Sequence, residues 1–148
     1  MTTRRLWKIA AAWMVATVAV AVGMLVHLEG QKRSAVSGDF RSAVVAEIHD
    51  SQGAVLLRGN FAPVAGDEDE IERQATLTAT EHGGAATGDV EVEYRKDGAT
   101  TQEVEFQVTR VPPRAVLTLV IDGTAVISAT ADEQGRAEAE VAVAMPRQ

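Results

Sequence analysis

Asp89-Val90-Glu91-Val92-Glu93-Tyr94-Arg95, followed by Glu103-Val104-Glu105-Phe106-Gln107-Val108-Thr109, is the stretch that decides the fold. Apolar residues fall at every second position in both segments. A period of two puts alternate side chains on opposite faces of a β-strand, here an apolar face for a core and a charged face for water. The link between the segments contains Asp97-Gly98, a hairpin signal because glycine tolerates the positive φ of a tight turn. Matching the apolar faces of such a hairpin pairs Val90 with Phe106 and Val92 with Val104. The same register sets Glu91 opposite Glu105 and Glu93 opposite Glu103. Like charges directly across a strand pair are destabilising. Glu91, Glu93, Glu103 and Glu105 are therefore the candidate partner-binding residues: a solvated face that tolerates the repulsion, or a docking face for a basic protein partner.

The same period extends outward along the chain. Ala75, Leu77 and Ala79 alternate with polar residues, as do Ala137, Ala139, Val141 and Val143. Residues 40–48 fit both a helical and an alternating pattern. A strand is preferred, because the turn cluster Asp50-Ser51-Gln52-Gly53 leads into a second apolar run at 54–57. Residues 117–121 and 124–131 are apolar on both faces, which predicts central strands, and Asp122-Gly123 between them is a two-residue hairpin signal. Pro112-Pro113 donates no ladder hydrogen bonds and separates the strand ending near Val108 from the next. Short strands at roughly ten-residue spacing predict an all-β, antiparallel β-sandwich or small barrel of about seven strands over residues 40–148.

Within this pattern, Val111-Pro112-Pro113-Arg114, Leu117-Thr118-Leu119-Val120-Ile121-Asp122-Gly123 and Ala131-Asp132-Glu133-Gln134-Gly135-Arg136-Ala137-Glu138 are similar to a β-hairpin repeat of secreted bacterial proteins. The resemblance covers residues 111–138. It implies a β-fold and a compartment outside the cytoplasm, and no activity.

Residues 9–28 carry no charge. As a helix rising about 1.5 Å per residue they reach about 30 Å, the thickness of a bilayer's hydrocarbon core. Arg4, Arg5 and Lys8 precede the run, and Trp7 and Trp13 sit near its start, where indole rings favour the headgroup layer. Retention of positive charge inside predicts a cytoplasmic n-region at 1–8, a transmembrane signal-anchor at 9–28, a juxtamembrane linker at 29–39 and an extracytoplasmic domain beyond it. Ala19-Val20-Ala21 has the chemistry of a signal-peptidase site, which leaves a secreted, cleaved form as the alternative. Apolar residues continue to Leu28, which favours an uncleaved anchor in the cell membrane.

All 21 acids follow residue 28, while three of the 14 bases precede it, so the domain carries a net charge of about −10. That balance argues against nucleic acid as a partner. There is no cysteine, hence no disulfide and no thiolate chemistry. His27 belongs to the membrane edge, and neither His49 nor His82 has a second imidazole at ligand spacing, so no zinc or copper site is assembled. His49-Asp50-Ser51 has the residue types of a hydrolase triad, but adjacent residues point in different directions, and a turn capped by Asp50 explains them. The acidic run holding Asp67, Glu68, Asp69 and Glu70 is the candidate Ca²⁺ site, although it lacks the spacing that bends a loop around the ion. No catalytic residue and no cofactor is assigned. The expectation is a membrane-anchored binding or structural module of the cell envelope that is not an enzyme, with a carboxylate-rich cation-binding module as the alternative.

Overall fold

A computed structural model describes residues 36–66, 69–96 and 101–146 of the chain. Residues 9–28, the Asp97-Gly98 turn, Asp67 and Glu68 lie outside these residues. Among the described residues no helix is long and apolar enough to cross a membrane. The strands are β1 (Val45–His49), β2 (Val55–Asn60), the two-residue β3 (Ala65–Gly66), β4 (Glu70–Ala79), β5 (Thr87–Arg95), β6 (Thr101–Thr109), β7 (Val116–Ile121), β8 (Thr124–Thr130) and β9 (Arg136–Ala144).

The hairpin of β5 and β6 has the register that its alternation predicts: Val90 pairs Phe106, Val92 pairs Val104, Glu91 pairs Glu105 and Glu93 pairs Glu103. Further pairing is antiparallel and runs β8-β7-β1-β2-β4-β5-β6-β9, with β3 beside β4. The ladder between β2 and β4 is short, with Leu57 paired to Ala79 and Arg58 to Thr78. The approach there is close: a Cβ on Gly59 would stand 2.2 Å from the carbonyl oxygen of Thr76. At the other side a four-residue turn, Asp132 to Gly135, links the two terminal strands of the path, β8 and β9. The result is an all-β, nearly closed barrel-like sheet of eight antiparallel strands plus β3, in keeping with the short-strand pattern of the sequence.

Inward side chains fill the interior. Phe106, Ile48, Leu57, Leu77, Leu117 and Leu119 are fully buried, each worth roughly 1.5–3 kcal/mol of transfer free energy. Two inward positions are polar. Arg73 continues the inward parity of Ala75 and Leu77, and Gln102 continues that of Val104 and Phe106. Both hold the segment that leads into β1. Gln102 accepts from the Phe40 amide at 3.0 Å and donates to the Gly38 carbonyl. Arg73 donates to the carbonyls of Arg41, Ala43 and Ala62 at 2.7, 2.8 and 3.2 Å.

That clamp corrects the expectation of a strand over residues 40–48: β1 begins only at Val45 and runs to His49. Ala43 N–H closes a turn onto the Phe40 carbonyl at 3.1 Å, burying Phe40 and Ala43 and leaving Val44 62% exposed. The Asp122 carboxylate then accepts from the amides of Val44 and Val45 at 3.1 and 2.8 Å, which sets where β1 begins. A second correction concerns residues 124–131. All but Ala131 form β8, the end of the path and not its centre. Their apolarity comes largely from small residues, and Ala125 is exposed while Ala129 is only half-buried. Asp122-Gly123 makes the expected tight hairpin, with φ of 46° and 80°.

Candidate functional site

Outward residues of β4, β5, β6 and β9 form one continuous face, because even spacing along each strand and the pairing between strands keep them on the same side. Three rows cross it. Glu72, Glu93 and Glu103 make the first. Gln74, Glu91, Glu105 and Glu140 make the second, and Thr76, Asp89, Gln107 and Glu138 the third. Every sequence-assigned partner residue (Glu91, Glu93, Glu103, Glu105) is therefore on this face. Together with Glu140 they line a shallow depression of about 200 Å³.

Neutralisation of these carboxylates comes mostly from the rim. Arg95 approaches Glu93 at 3.4 Å and Glu70 at 3.1 Å. Gln74 donates to Glu72 and Gln107 to Glu105, both at 2.9 Å. In the middle of the field the balance differs. Glu103 shares a hydrogen bond with Glu140, and this contact, then burial, then the charges of Glu140 and Glu93, push its carboxyl up to about 7 against the relief offered by Arg95. Burial raises the Glu91 carboxyl as well, with Glu72, Glu93 and Glu105 adding to the effect.

Asp69 and Glu70 of the candidate Ca²⁺ site are turned to basic partners at the end of β5. Lys96 Nζ stands 3.2 Å from Asp69 and Arg95 Nε 3.1 Å from Glu70. Among the described residues no group of three or more His, Asp or Glu side chains is arranged to hold a metal ion. His49 Nε2 lies 2.9 Å from Glu47, on the outer face of β1. The Asp50 carboxylate accepts from the amides of Gln52 and Ala54 at 2.8 and 2.9 Å, so this trio is a capped turn. His82 is exposed in the turn after β4.

No family model, no curated protein and no solved structure matches the chain. The face itself must therefore carry the functional argument.

Sequence reading missed Glu72, Glu138 and Glu140 as members of the face. Alternation marks Glu138 and Glu140 as wet, yet no local signal says that β9 returns to lie beside β6, some thirty residues upstream. Arg73 and Gln102 were missed for a different reason: polar residues at inward parity look like the frayed end of a strand until the segment they bind is known.

Proposed function

We propose that this chain is a single-pass, membrane-anchored protein whose extracytoplasmic β-domain works by binding and not by catalysis. Its docking surface is the acidic face of β4, β5, β6 and β9, and its partner is a basic protein surface. The carrying observation is the set of cross-strand rows, where Glu stands opposite Glu at 72/93, 93/103, 91/105 and 105/140. Isolated strands lose stability from such pairs. A complementary positive surface would relieve the repulsion and gain association rate from the field. The uncharged run at residues 9–28 supports the anchor, and the similarity of residues 111–138 to a repeat of secreted bacterial proteins supports the compartment.

The test uses the full chain in detergent micelles and a lysine-rich peptide as probe. Charge reversal by Glu91→Lys with Glu105→Lys should weaken peptide binding about tenfold, equivalent to ~1.4 kcal/mol. The same charge change at Glu81→Lys with Glu133→Lys, outside the face, should leave most of the affinity. Equal losses from the two pairs would reduce the face to a general net-charge effect and refute the reading. Titration with Ca²⁺ should give no heat at the face. The mass of the mature chain tests the anchor: an N-terminus beginning after Ala21 would favour the secreted form.

A further inference from the structure

A cleft of about 800 Å³ lies where the Asp132–Gly135 turn carries the chain from β8 to β9, lined by the ends of β6 and β8 and the start of β9. Small-molecule sites occupy about 300–1,000 Å³. Arg110 and Arg136 both line this one. Other bases of this acidic domain are already paired. Arg41, Arg58, Arg95, Lys96 and Arg114 each stand beside a carboxylate, and Arg73 holds three carbonyls. Arg110 and Arg136 are exposed and make no ion pair among the described residues.

Backbone geometry brings the two arginines to the same side. Thr109 pairs with Arg136, and the Val111 amide then donates to the Gly135 carbonyl at 3.2 Å. Arg110 is thus an extra residue, two on one strand against one on the other, which is a β-bulge. Strict alternation after the inward Val108 would send residue 110 into the core. The bulge buries Val111 instead and leaves Arg110 outside, next to Thr109 and Arg136. It does so at a φ of 63°, a left-handed conformation that is costly for arginine and that glycine usually supplies in such bulges. Contact between the chains is tight here, since a Cβ on Gly135 would stand 2.2 Å from the Val111 carbonyl oxygen. A strained residue re-aimed beside a second unpaired guanidinium points to a ligand, because packing gains nothing from it.

Two guanidiniums present forked donors that match the oxygens of a carboxylate or a phosphate. Around them Thr109, Thr130 and Gln134 offer hydroxyl and amide groups, and Glu138 offers an acceptor. The Asp132 carboxylate is occupied by the amides of Gln134 and Arg136, at 2.8 and 2.9 Å. We propose that this cleft binds a sugar carrying one oxyanion, a carboxylate or a phosphate, with Arg110 and Arg136 on the oxyanion and the neighbouring polar side chains on the sugar hydroxyls. Glu138 sets the limit on charge: a polyanion would meet it, while a hydroxyl beside a single oxyanion can donate to it. The site needs no partner on the acidic face, so it stands or falls independently of that docking surface.

Calorimetric titration of the full chain in micelles with D-glucuronate and with glucose 6-phosphate separates the two oxyanions, with glucose as the uncharged control. At least one of the two should bind ~10-fold or more tightly than glucose. A preference for glucuronate assigns the carboxylate, a preference for glucose 6-phosphate assigns the phosphate, and equal affinities keep both. No preference over glucose would overturn the proposal, and so would acetate or inorganic phosphate binding as tightly as the corresponding sugar. Arg110→Gly and Arg136→Gln should each weaken the binding at least ~10-fold, whereas Arg58→Gln, which removes the same charge from a paired base, should change it less than ~2-fold. Equal losses from all three would leave only a net-charge effect and refute the site. Stability distinguishes a ligand contact from a structural one. Glycine accepts the left-handed φ, so Arg110→Gly without sugar should melt no lower than the native chain. A fall of more than ~4 °C would assign Arg110 to the fold and not to a ligand.

Discussion

Arg73 is 8% exposed, and its partners among the described residues are three carbonyl oxygens and the Phe61 ring, 5.6 Å from the guanidinium carbon. Desolvating a charge is costly unless dipoles replace the lost water. The planar guanidinium suits this position, because it points separate donors at three carbonyls in different directions. Those carbonyls belong to the segment before β1 and the one after β2, so a single side chain on β4 fixes two stretches of irregular backbone. Arg73→Met fills the volume and leaves the carbonyls unsatisfied; it should cost about 2–4 kcal/mol in urea unfolding. Arg73→Lys should recover less than half of that loss, since one ammonium does not span the three acceptors. A cost below about 1 kcal/mol for the Met variant would mean that water replaces the donors freely.

At the scale of elements, two turns use one chemistry. Asp50-Ser51-Gln52-Gly53 and Asp132-Glu133-Gln134-Gly135 share Asp, Gln and Gly at the same offsets. In each, the carboxylate accepts from the amides two and four residues on, at 2.8 and 2.9 Å, and the final glycine has φ of 83° or 73°. A further carboxylate, Asp122, works at long range by holding the start of β1. Asp132→Ala should destabilise the domain by about 1–2 kcal/mol, and Asp132→Asn by less than half as much, because the amide oxygen still accepts. Thermal unfolding of the two variants measures this; an Asn variant as poor as Ala would show that charge and not acceptance matters. These turns, the two prolines and the β5–β6 register were legible in the chain because each is set by residues close in sequence. The placement of β8 at an edge and of β9 beside β6 was not. Both depend on how the whole sheet curls, and the small residues of β8 read equally well as buried or exposed. The acidic face was legible in its central hairpin for the same local reason, and its extension to Glu72, Glu138 and Glu140 was hidden by the same long-range pairing.

Across the described residues, charge is distributed unevenly: the interior is apolar but for Arg73 and Gln102, and the sheet face of β4, β5, β6 and β9 concentrates the negative charge. That has a consequence for stability against pH. The folded chain holds the Glu103 proton up to about 7, above the 4.5 of an ordinary glutamate, because the Glu140 hydrogen bond, burial and neighbouring charge favour the neutral form. Glu91 is displaced in the same direction. Between these values the folded state binds more protons than the unfolded chain, so stability is greatest near pH 4.5–5 and falls as pH rises toward 7. Asp39 acts oppositely, its carboxyl lowered by the Arg41 hydrogen bond, but its contribution is lost only below about 4 and leaves the upper window to the glutamates. The melting temperature should therefore decrease by a few degrees from pH 5 to pH 8. Glu140→Gln removes the shared proton and gives Glu103 an amide donor in its place, so the variant's profile should be flatter and its advantage over the native chain largest at pH 8. Salt should act in the same sense: about 0.5 M NaCl shortens the screening length to under ~5 Å and should raise the pH 8 melting temperature more than the pH 5 one. Differential scanning calorimetry of the two chains across this range decides the matter. A native profile that climbs toward pH 8, or one that Glu140→Gln leaves unchanged, would mean that the field on this face is already neutralised in the folded protein.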